Sequence, residues 1–149
     1  MAQPLQRILV AVDDSPSCQP ALKEAIALAK ASGAELVLAH VTSILEHRIA
    51  DGGRGPHRVP DVASTPLGPA CSRVESAGVR WSTELLLGYP PKQLALVADD
   101  RDVDLIVVGS RNLKGLKRAA LGSTSNVLLK ESSRPVLVVS SPERAIAAA

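Results

Sequence analysis

The 149-residue chain is predicted to fold as one α/β domain, with a five-stranded, mostly parallel sheet and helices on both faces. Short runs rich in Val, Ile and Leu alternate along the chain with segments of helical periodicity, an order typical of parallel sheets. Four of the five strand-like runs lack strict alternation of apolar and polar residues, as expected of strands that helices cover on both faces.

Each of these runs predicts one strand. The four continuous apolar runs are residues 7–12, 35–41, 103–108 and 135–139. The fifth run, residues 79–85, alternates apolar residues with Arg80, Ser82 and Glu84, which predicts a strand with one wetter face near a sheet edge.

The helices are predicted between the strands. Ser15 or Ser17 can cap the first, and Gly33 can end it. The third is expected from Pro91 to about residue 99, and the fourth from Ser123 to about residue 132.

Residues 51–69 contain eight Gly or Pro residues in nineteen positions, so they are predicted to form a loop. A flexible loop is expected over about residues 42–69, a short helix over about residues 70–77, and a tail over about residues 141–149. Residues 51–69 are either a plain loop or a lid over a ligand.

Composition excludes several classes of protein. Trp81 and Tyr89 are the only aromatic residues besides His, which argues against binding of single-stranded nucleic acid by stacking. The net charge of +2 predicts no strong field for nucleic acid or an anionic membrane. No apolar run approaches 18 residues, and the start lacks a secretory pattern. Cys18 and Cys71 show no metal spacing, so a cytoplasmic protein with reduced thiols is expected.

Ligands of such sheets bind beyond the carboxyl ends of strands, where the winding direction reverses. The segment 109–125 leaves a strand at Gly109 and enters a helix at Gly122, where free N–H groups attract anions. Residues 110–121 carry four positive charges and no carboxylate. This is either a phosphate site or a solvated basic loop with a capped helix. The positive charges are Arg111, Lys114, Lys117 and Arg118.

Asp13 places a carboxylate directly after the first strand. It could accept a hydrogen bond from a ribose hydroxyl, hold a metal ion, or cap the first helix. Neither GxxxxGK[ST] nor GxGxxG is present, so a Walker-type site is not predicted.

Four segments spread along the chain form a recognisable set: RILVAVDDSP, LAHV, VDLIVVGSRN followed by LKGLKRAALGSTSNVLL, and RPVLVV. In these segments, and in their order and spacing over nearly its whole length, the chain resembles the universal stress protein family. The resemblance implies a parallel sheet of order 3-2-1-4-5 and a homodimer. In that order residues 79–85 lie at one edge and residues 135–139 at the other. An uncovered apolar edge is an aggregation hazard, which pairing with a second copy removes; cover by residues 140–149 is the alternative.

One branch of this family binds ATP through a pattern Gly-x2-Gly-x9-Gly-Ser/Thr. Here the pattern runs from Gly109 to Gly122-Ser123, but Asn112 replaces its second glycine. Asn tolerates positive φ better than most residues, although its side chain reduces the clearance for a phosphate. The resemblance implies that Val12, Asp13 and Val41 contact the adenine and ribose. The residues implied for the ribose and phosphates are Gly109, Asn112, Gly122, Ser123 and Thr124, with Arg111 in the same basic segment.

The expected function is therefore a cytoplasmic stress sensor or regulator that binds ATP with Mg²⁺, Asp13 being the candidate metal ligand. Three alternatives remain: a nucleotide-free dimeric interaction module, a cyclic AMP binder, and a nucleotide-using enzyme such as a nucleotidyl transferase. No Ser-His-Asp or Cys-His set is evident, and no residue supplies an obvious general base for hydrolysis of the γ-phosphate. The family resemblance implies at most slow ATP hydrolysis or autophosphorylation. Cys18 is predicted to be either a reactive thiol at a helix start or an inert buried one. Arg101 and the acidic residues around it are predicted to form a solvated turn.

Overall fold

A computed structural model describes residues 3–43, 61–110 and 122–140 of the chain. In these residues all neighbouring strands pair in parallel, and their order in the sheet is β3-β2-β1-β4-β5. The predicted fold class, and the strand order implied by the family resemblance, are confirmed. The strands are β1 (Arg7–Ala11), β2 (Glu35–Thr42), β3 (Trp81–Leu87), β4 (Leu105–Gly109) and β5 (Val136–Val139).

Within the described residues four α-helices cover the sheet, two on each face. The helices α1 and α2 enclose one apolar core against the sheet, and α3 and α4 enclose a second on the opposite face. A short 3-10 turn over Val62–Ser64 precedes α2. The helices are α1 (Cys18–Ser32), α2 (Leu67–Ser76), α3 (Pro90–Asp100) and α4 (Ser123–Glu131).

The central strand β1 shows why its sequence lacks alternation. Ile8, Leu9 and Val10 are consecutive and all three are fully buried. Ile8 and Val10 pack into the α1–α2 core, and Leu9 packs into the α3–α4 core. Because both faces of the strand are covered at its centre, these three positions have to be apolar.

The predicted loop over residues 42–69 differs from the structure at both ends. Thr42 still belongs to β2, and α2 begins at Leu67 rather than near residue 70. Leu67 is fully buried, and its N–H group donates to Thr65 Oγ1 at 3.2 Å. Pro69 is tolerated because it occupies the first turn of the helix, where a main-chain N–H group needs no helical partner. Residues 44–60, and with them most of the segment considered as a lid, lie outside the described residues, as does the tail 141–149.

The prediction of a solvated turn is wrong for Arg101 itself, although the acidic residues around it, Asp99, Asp100, Asp102 and Asp104, are exposed. Arg101 Nη1 donates to Glu84 Oε1 at 2.8 Å, and Arg101 Nη2 donates to Ser82 Oγ at 2.8 Å. Both partners lie on the polar face of β3. In the same turn Asp104 Oδ2 accepts the N–H group of Arg7 at 3.0 Å. The turn therefore ties the amino ends of β3, β1 and β4 together.

The strand β5 lies at one edge of the sheet and pairs only with β4 within the described residues. Leu137, in its middle, is 37% exposed. None of the helices in the described part of the chain is long and apolar enough to span a bilayer.

Candidate functional site

A cleft opens beyond the carboxyl ends of β1 and β4, the neighbouring strands from which the sheet winds in opposite directions. The empty space between its walls, counted out into the open solvent at its mouth, is about 560 Å³. The ends of β1, β2 and β4 and the first turns of α1, α3 and α4 form its walls. The lining residues are Ala11, Val12, Asp13, Cys18, Ala39, Val41, Pro90, Leu94, Val108, Gly109, Gly122, Thr124 and Ser125.

Six of the nine candidate binding residues line this one cleft. Ser123 is the first residue of α4, but it is exposed and is not part of the cleft wall. Arg111 and Asn112 lie outside the described residues. That these residues bind a nucleotide stays a prediction. The six that line the cleft are Val12, Asp13, Val41, Gly109, Gly122 and Thr124.

Asp13 sits in a tight turn between β1 and α1. Its Oδ1 atom accepts the N–H group of Ser15 at 2.8 Å and also the Ser15 hydroxyl. These bonds close a side-chain turn before the helix rather than capping α1 itself, whose N-cap position is occupied by Ser17. The carboxylate is thereby held at the mouth of the cleft.

Val12 lines the cleft although its side chain is largely buried. The residue is 3% exposed and packs into the α1–α2 core, to which the cleft-lining Cys18 also belongs, whereas Val108 and Leu94 belong to the α3–α4 core. The cleft therefore lies between parts of both cores.

Gly109 has a packing reason for lacking a side chain. A Cβ atom at this position would lie 2.5 Å from the carbonyl oxygen of Ser17 and 2.7 Å from Ser17 Oγ. These distances are shorter than van der Waals contact, so the first turn of α1 would have to move. The sequence suggested close approach of a ligand at Gly109, and the structure shows close approach of α1 there.

The amino terminus of α4 faces the cleft. Gly122 is its N-cap residue, and the first helical hydrogen bond of α4 runs from Asn126 N–H to the Gly122 carbonyl at 3.0 Å. The N–H groups of Ser123, Thr124 and Ser125 precede that bond, and the N-cap residue Gly122 has no side chain with which to cap the helix. Such a terminus attracts negative charge through its dipole and its N–H groups.

Cys18 lines the cleft as the first residue of α1, which the sequence analysis did not anticipate. It is 3% exposed, and burial raises the pKa of its thiol above the usual value. The alternative of a low-pKa reactive thiol is therefore not what this environment produces, and the inert buried thiol fits it.

Apart from Ser125, the remaining lining residues that the sequence did not single out are apolar, and nothing in an apolar strand end distinguishes a cleft wall from core. Within the described residues Asp13 is the one charged residue of the wall. The same part of the chain contains no group of three or more His, Cys, Asp or Glu side chains that could hold a metal ion. The apolar residues in question are Ala11, Ala39, Pro90, Leu94 and Val108.

Comparison with known proteins identifies relatives of this chain. Residues 4–140 match the model of the universal stress protein family. Universal stress protein YxiE of Bacillus subtilis is 36% identical over 147 residues, which covers 89% of this chain and 97% of that protein. Universal stress protein MJ0531 of Methanocaldococcus jannaschii is 29% identical over 143 residues, which covers 93% of this chain and 84% of that protein.

Two solved structures share the fold. The structure of MJ0577, a universal stress protein of Methanocaldococcus jannaschii, superposes with a TM-score of 0.77 at 26% identity and covers 93% of this chain and 98% of its own. A universal stress protein in complex with cAMP superposes with a TM-score of 0.69 at 27% identity, with the same coverage of 93% and 98%. With the family model spanning nearly the whole sequence and the sheet order in agreement, the chain belongs to the universal stress protein family.

Proposed function

We propose that the protein binds an adenine nucleotide in the cleft beyond β1 and β4, and that it acts as a cytoplasmic sensor or regulator under stress. ATP with Mg²⁺ is the ligand that we expect. The observation that carries the proposal is that the Asp13 carboxylate, which accepts the N–H group of Ser15, lies in the same cleft as the amino terminus of α4. The cAMP-bound relative supports an adenine nucleotide as the occupant.

The walls of the cleft suit the three parts of a nucleotide. Apolar residues from β2, β4 and α3 offer a dry surface to a base, and Val41 at the end of β2 adds main-chain groups. Asp13 is available to accept from ribose hydroxyl groups. Gly122 and Thr124 bring the amino terminus of α4 toward the phosphates. Adenine is therefore expected to be held by aliphatic side chains and main chain, without ring stacking.

The described residues fit a magnesium ion only in part. Asp13 is the single carboxylate of the cleft wall, whereas Mg²⁺ prefers six oxygen ligands and binds through one or two carboxylates plus substrate phosphates. The ion would therefore arrive with the nucleotide, and when bound it would neutralise phosphate charge. We expect Mg²⁺ to strengthen binding of ATP and to leave binding of cyclic AMP unchanged.

Cyclic AMP is the second candidate ligand, because a relative of 27% identity and matching fold carries it. Its single phosphate needs fewer contacts than a triphosphate chain. Asn112, which replaces a glycine of the ATP pattern, favours a ligand that places less phosphate against the segment 109–122.

A calorimetric titration separates these possibilities. Wild-type protein is titrated with ATP, ADP, AMP and cyclic AMP, each with and without Mg²⁺. Strongest binding of ATP in the presence of Mg²⁺ supports the primary proposal, and strongest binding of cyclic AMP supports the second. If none of the four ligands binds, both proposals are overturned and a nucleotide-free interaction module is favoured. Turnover of ATP at many cycles per minute would favour an enzyme instead.

Two aspartates provide a matched pair of variants for this titration. Asp13 and Asp61 each accept the main-chain N–H group two residues ahead, in similar turns, but only Asp13 lines the cleft. We expect Asp13→Ala to weaken nucleotide binding about tenfold or more, because a charge-assisted hydrogen bond contributes roughly 1.5–3 kcal/mol. Asp61→Ala should bind as wild type does. An Asn112→Gly variant tests whether the missing glycine limits ATP affinity.

We also propose that β5 pairs with the β5 of a second copy. Its apolar residues form an edge with only one described neighbour, and Leu137 is 37% exposed. Extending the sheet across a two-fold axis would satisfy the free edge. Light scattering at micromolar concentration should give the mass of a dimer, and a charged substitution, Leu137→Lys, should shift the mass toward a monomer.

A further inference from the structure

The main chain of Val12 is held at both its polar groups by two consecutive residues of β2. Its N–H group donates to the Ala39 carbonyl at 2.7 Å, and its carbonyl oxygen lies 2.7 Å from His40 Nδ1. A carbonyl oxygen can only accept, so the ring hydrogen of this bond is on Nδ1.

The hydrogen bond between His40 and Val12 is formed at the point where the main-chain pairing of β1 ends. The register of β1 with β4 ends at Val10, and its register with β2 ends at Ala11 opposite Ala39. The His40 ring therefore extends the attachment of the chain to β2 by one residue. It does so at the point where the chain leaves the sheet for the cleft.

The side chain of His40 does not lie on the cleft side of β2. Ala39 and Val41 line the cleft, and alternation along β2 places His40 on the opposite face of the sheet. The residue it holds, Val12, is joined by one peptide bond to Asp13, the carboxylate of the cleft wall. The orientation of the Val12 carbonyl fixes the plane of that peptide and so the direction in which Asp13 departs.

We propose that His40 is a positioning residue for the cleft. The hydrogen bond from its Nδ1 to the Val12 carbonyl sets the turn that presents Asp13 to the ligand. Its consequence for nucleotide affinity rests on the function proposed above, whereas its consequence for the turn does not. The ring itself does not contact the ligand.

Three substitutions at one position test the role. The amide nitrogen of Asn occupies nearly the position of Nδ1 on the side chain, that of Gln lies one bond farther out, and Leu offers no donor. If the Nδ1 donor matters, His40→Asn should retain the wild-type behaviour, and His40→Gln and His40→Leu should both lose it. All three variants are compared by urea unfolding, so that changes in global stability are known independently.

Two readouts are needed. Hydrogen exchange of the Ser15 amide, which donates to Asp13 Oδ1, reports the order of the turn in the nucleotide-free protein. We expect its exchange to be about fivefold faster in His40→Leu and His40→Gln than in wild type, after correction for global unfolding. Affinity for the nucleotide that wild type binds best should fall about fivefold to tenfold in the same two variants, the effect of one lost hydrogen bond.

The outcomes separate the two proposals. Unchanged exchange of Ser15 in all three variants overturns the positioning role, and so does an Asn variant that behaves like the Leu variant. If exchange changes as expected but affinity does not, the turn does not govern binding, and the role in ligand binding is overturned. If wild type binds no nucleotide, the proposed function fails while the exchange measurement still decides whether His40 positions the turn.

Discussion

Replacing Gly109 with Ala is expected to disturb the start of α1 and the cleft together. The added Cβ would lie 2.5 Å from the Ser17 carbonyl oxygen, 2.7 Å from the Ser17 carbonyl carbon and 2.7 Å from Ser17 Oγ. Two of these atoms belong to the main chain of a residue that is 1% exposed, so they cannot swing aside as a flexible side chain would. The first turn of α1 has to shift by about 0.5–1 Å to restore ordinary contact.

Such overpacking typically costs about 1–3 kcal/mol of unfolding free energy. For a domain of this size each kcal/mol lowers the melting temperature by roughly 2–4 °C. Cys18 directly follows the displaced residue Ser17, Asp13 precedes it in the turn before α1, and both line the cleft. Nucleotide affinity should therefore fall as well, by a factor of about ten if the carboxylate moves out of hydrogen-bond range.

A second glycine provides the matched control. A Cβ at Gly68 would lie 2.7 Å from the carbonyl oxygen of Ala63, a similar clash with main chain, but at the start of α2 and away from the cleft wall. Gly68→Ala should lower stability without changing nucleotide affinity. Urea unfolding monitored by circular dichroism gives the stabilities, and calorimetry gives the affinities. If Gly109→Ala unfolds within about 0.5 kcal/mol of wild type and binds equally well, the close approach to Ser17 does not constrain the site.

Two further changes probe the rest of the molecule. Arg101→Ala leaves Glu84 and Ser82 without their shared partner and should lower the free energy of unfolding in urea by about 1–3 kcal/mol, but nucleotide affinity should not change because the turn lies at the opposite end of the sheet. The control Lys23→Ala, at an exposed position of α1, should change stability by less than about 0.5 kcal/mol. Equal losses of stability in the two variants would contradict the role of Arg101. Burial raises the pKa of Cys18, so the native state keeps this thiol proton at pH values where the unfolded chain has lost it. The stabilising contribution is complete below about pH 9, the ordinary value for the thiol, and is lost as the pH rises through the higher native value. Unfolding free energies of wild type and Cys18→Ala, measured between pH 7 and 10.5, should converge above about pH 9, and a constant difference would show that the thiol is not buried as described.

The sheet was predictable because its signal is local and repeated. Runs such as Ile8, Leu9 and Val10 are apolar at every position, and only strands covered on both faces require that. The carboxyl-end position of the cleft then follows from parallel topology, which is why Asp13, Val41 and Gly109 could be named before the geometry was known.

What the sequence could not provide depends on partners far away along the chain. In the sequence Arg101 is one charge among acidic neighbours, but its partners Ser82 and Glu84 lie in the strand β3. His40 reads as a polar residue in an apolar strand, yet it bonds the carbonyl of Val12, which lies 28 positions earlier. Neither contact leaves a periodic pattern.

Local rules also failed where burial overrode them. Gly68 and Pro69 signal a loop, but α2 begins before them at Leu67, whose side chain is buried and whose N–H group donates to Thr65 Oγ1. A helix start tends to lower the pKa of a thiol, but at Cys18 desolvation is the larger effect and the pKa rises. In both cases the deciding quantity is the environment in three dimensions.

Charge explains how one cleft could serve ligands with different numbers of phosphates. The whole chain carries 17 − 15 = +2, and residues 110–121 carry +4, so the remaining residues carry 13 − 15 = −2. The described wall of the cleft contributes one negative charge, Asp13, and no positive one. Gly109 and Gly122 both line the cleft, so the basic segment between them begins and ends at the site. Base and ribose recognition would then depend on the strand ends, whereas discrimination between one phosphate and three would depend on the segment that contains Arg111 and Asn112. It follows that affinity for ATP should fall more steeply with salt than affinity for cyclic AMP, because more charge is neutralised on binding.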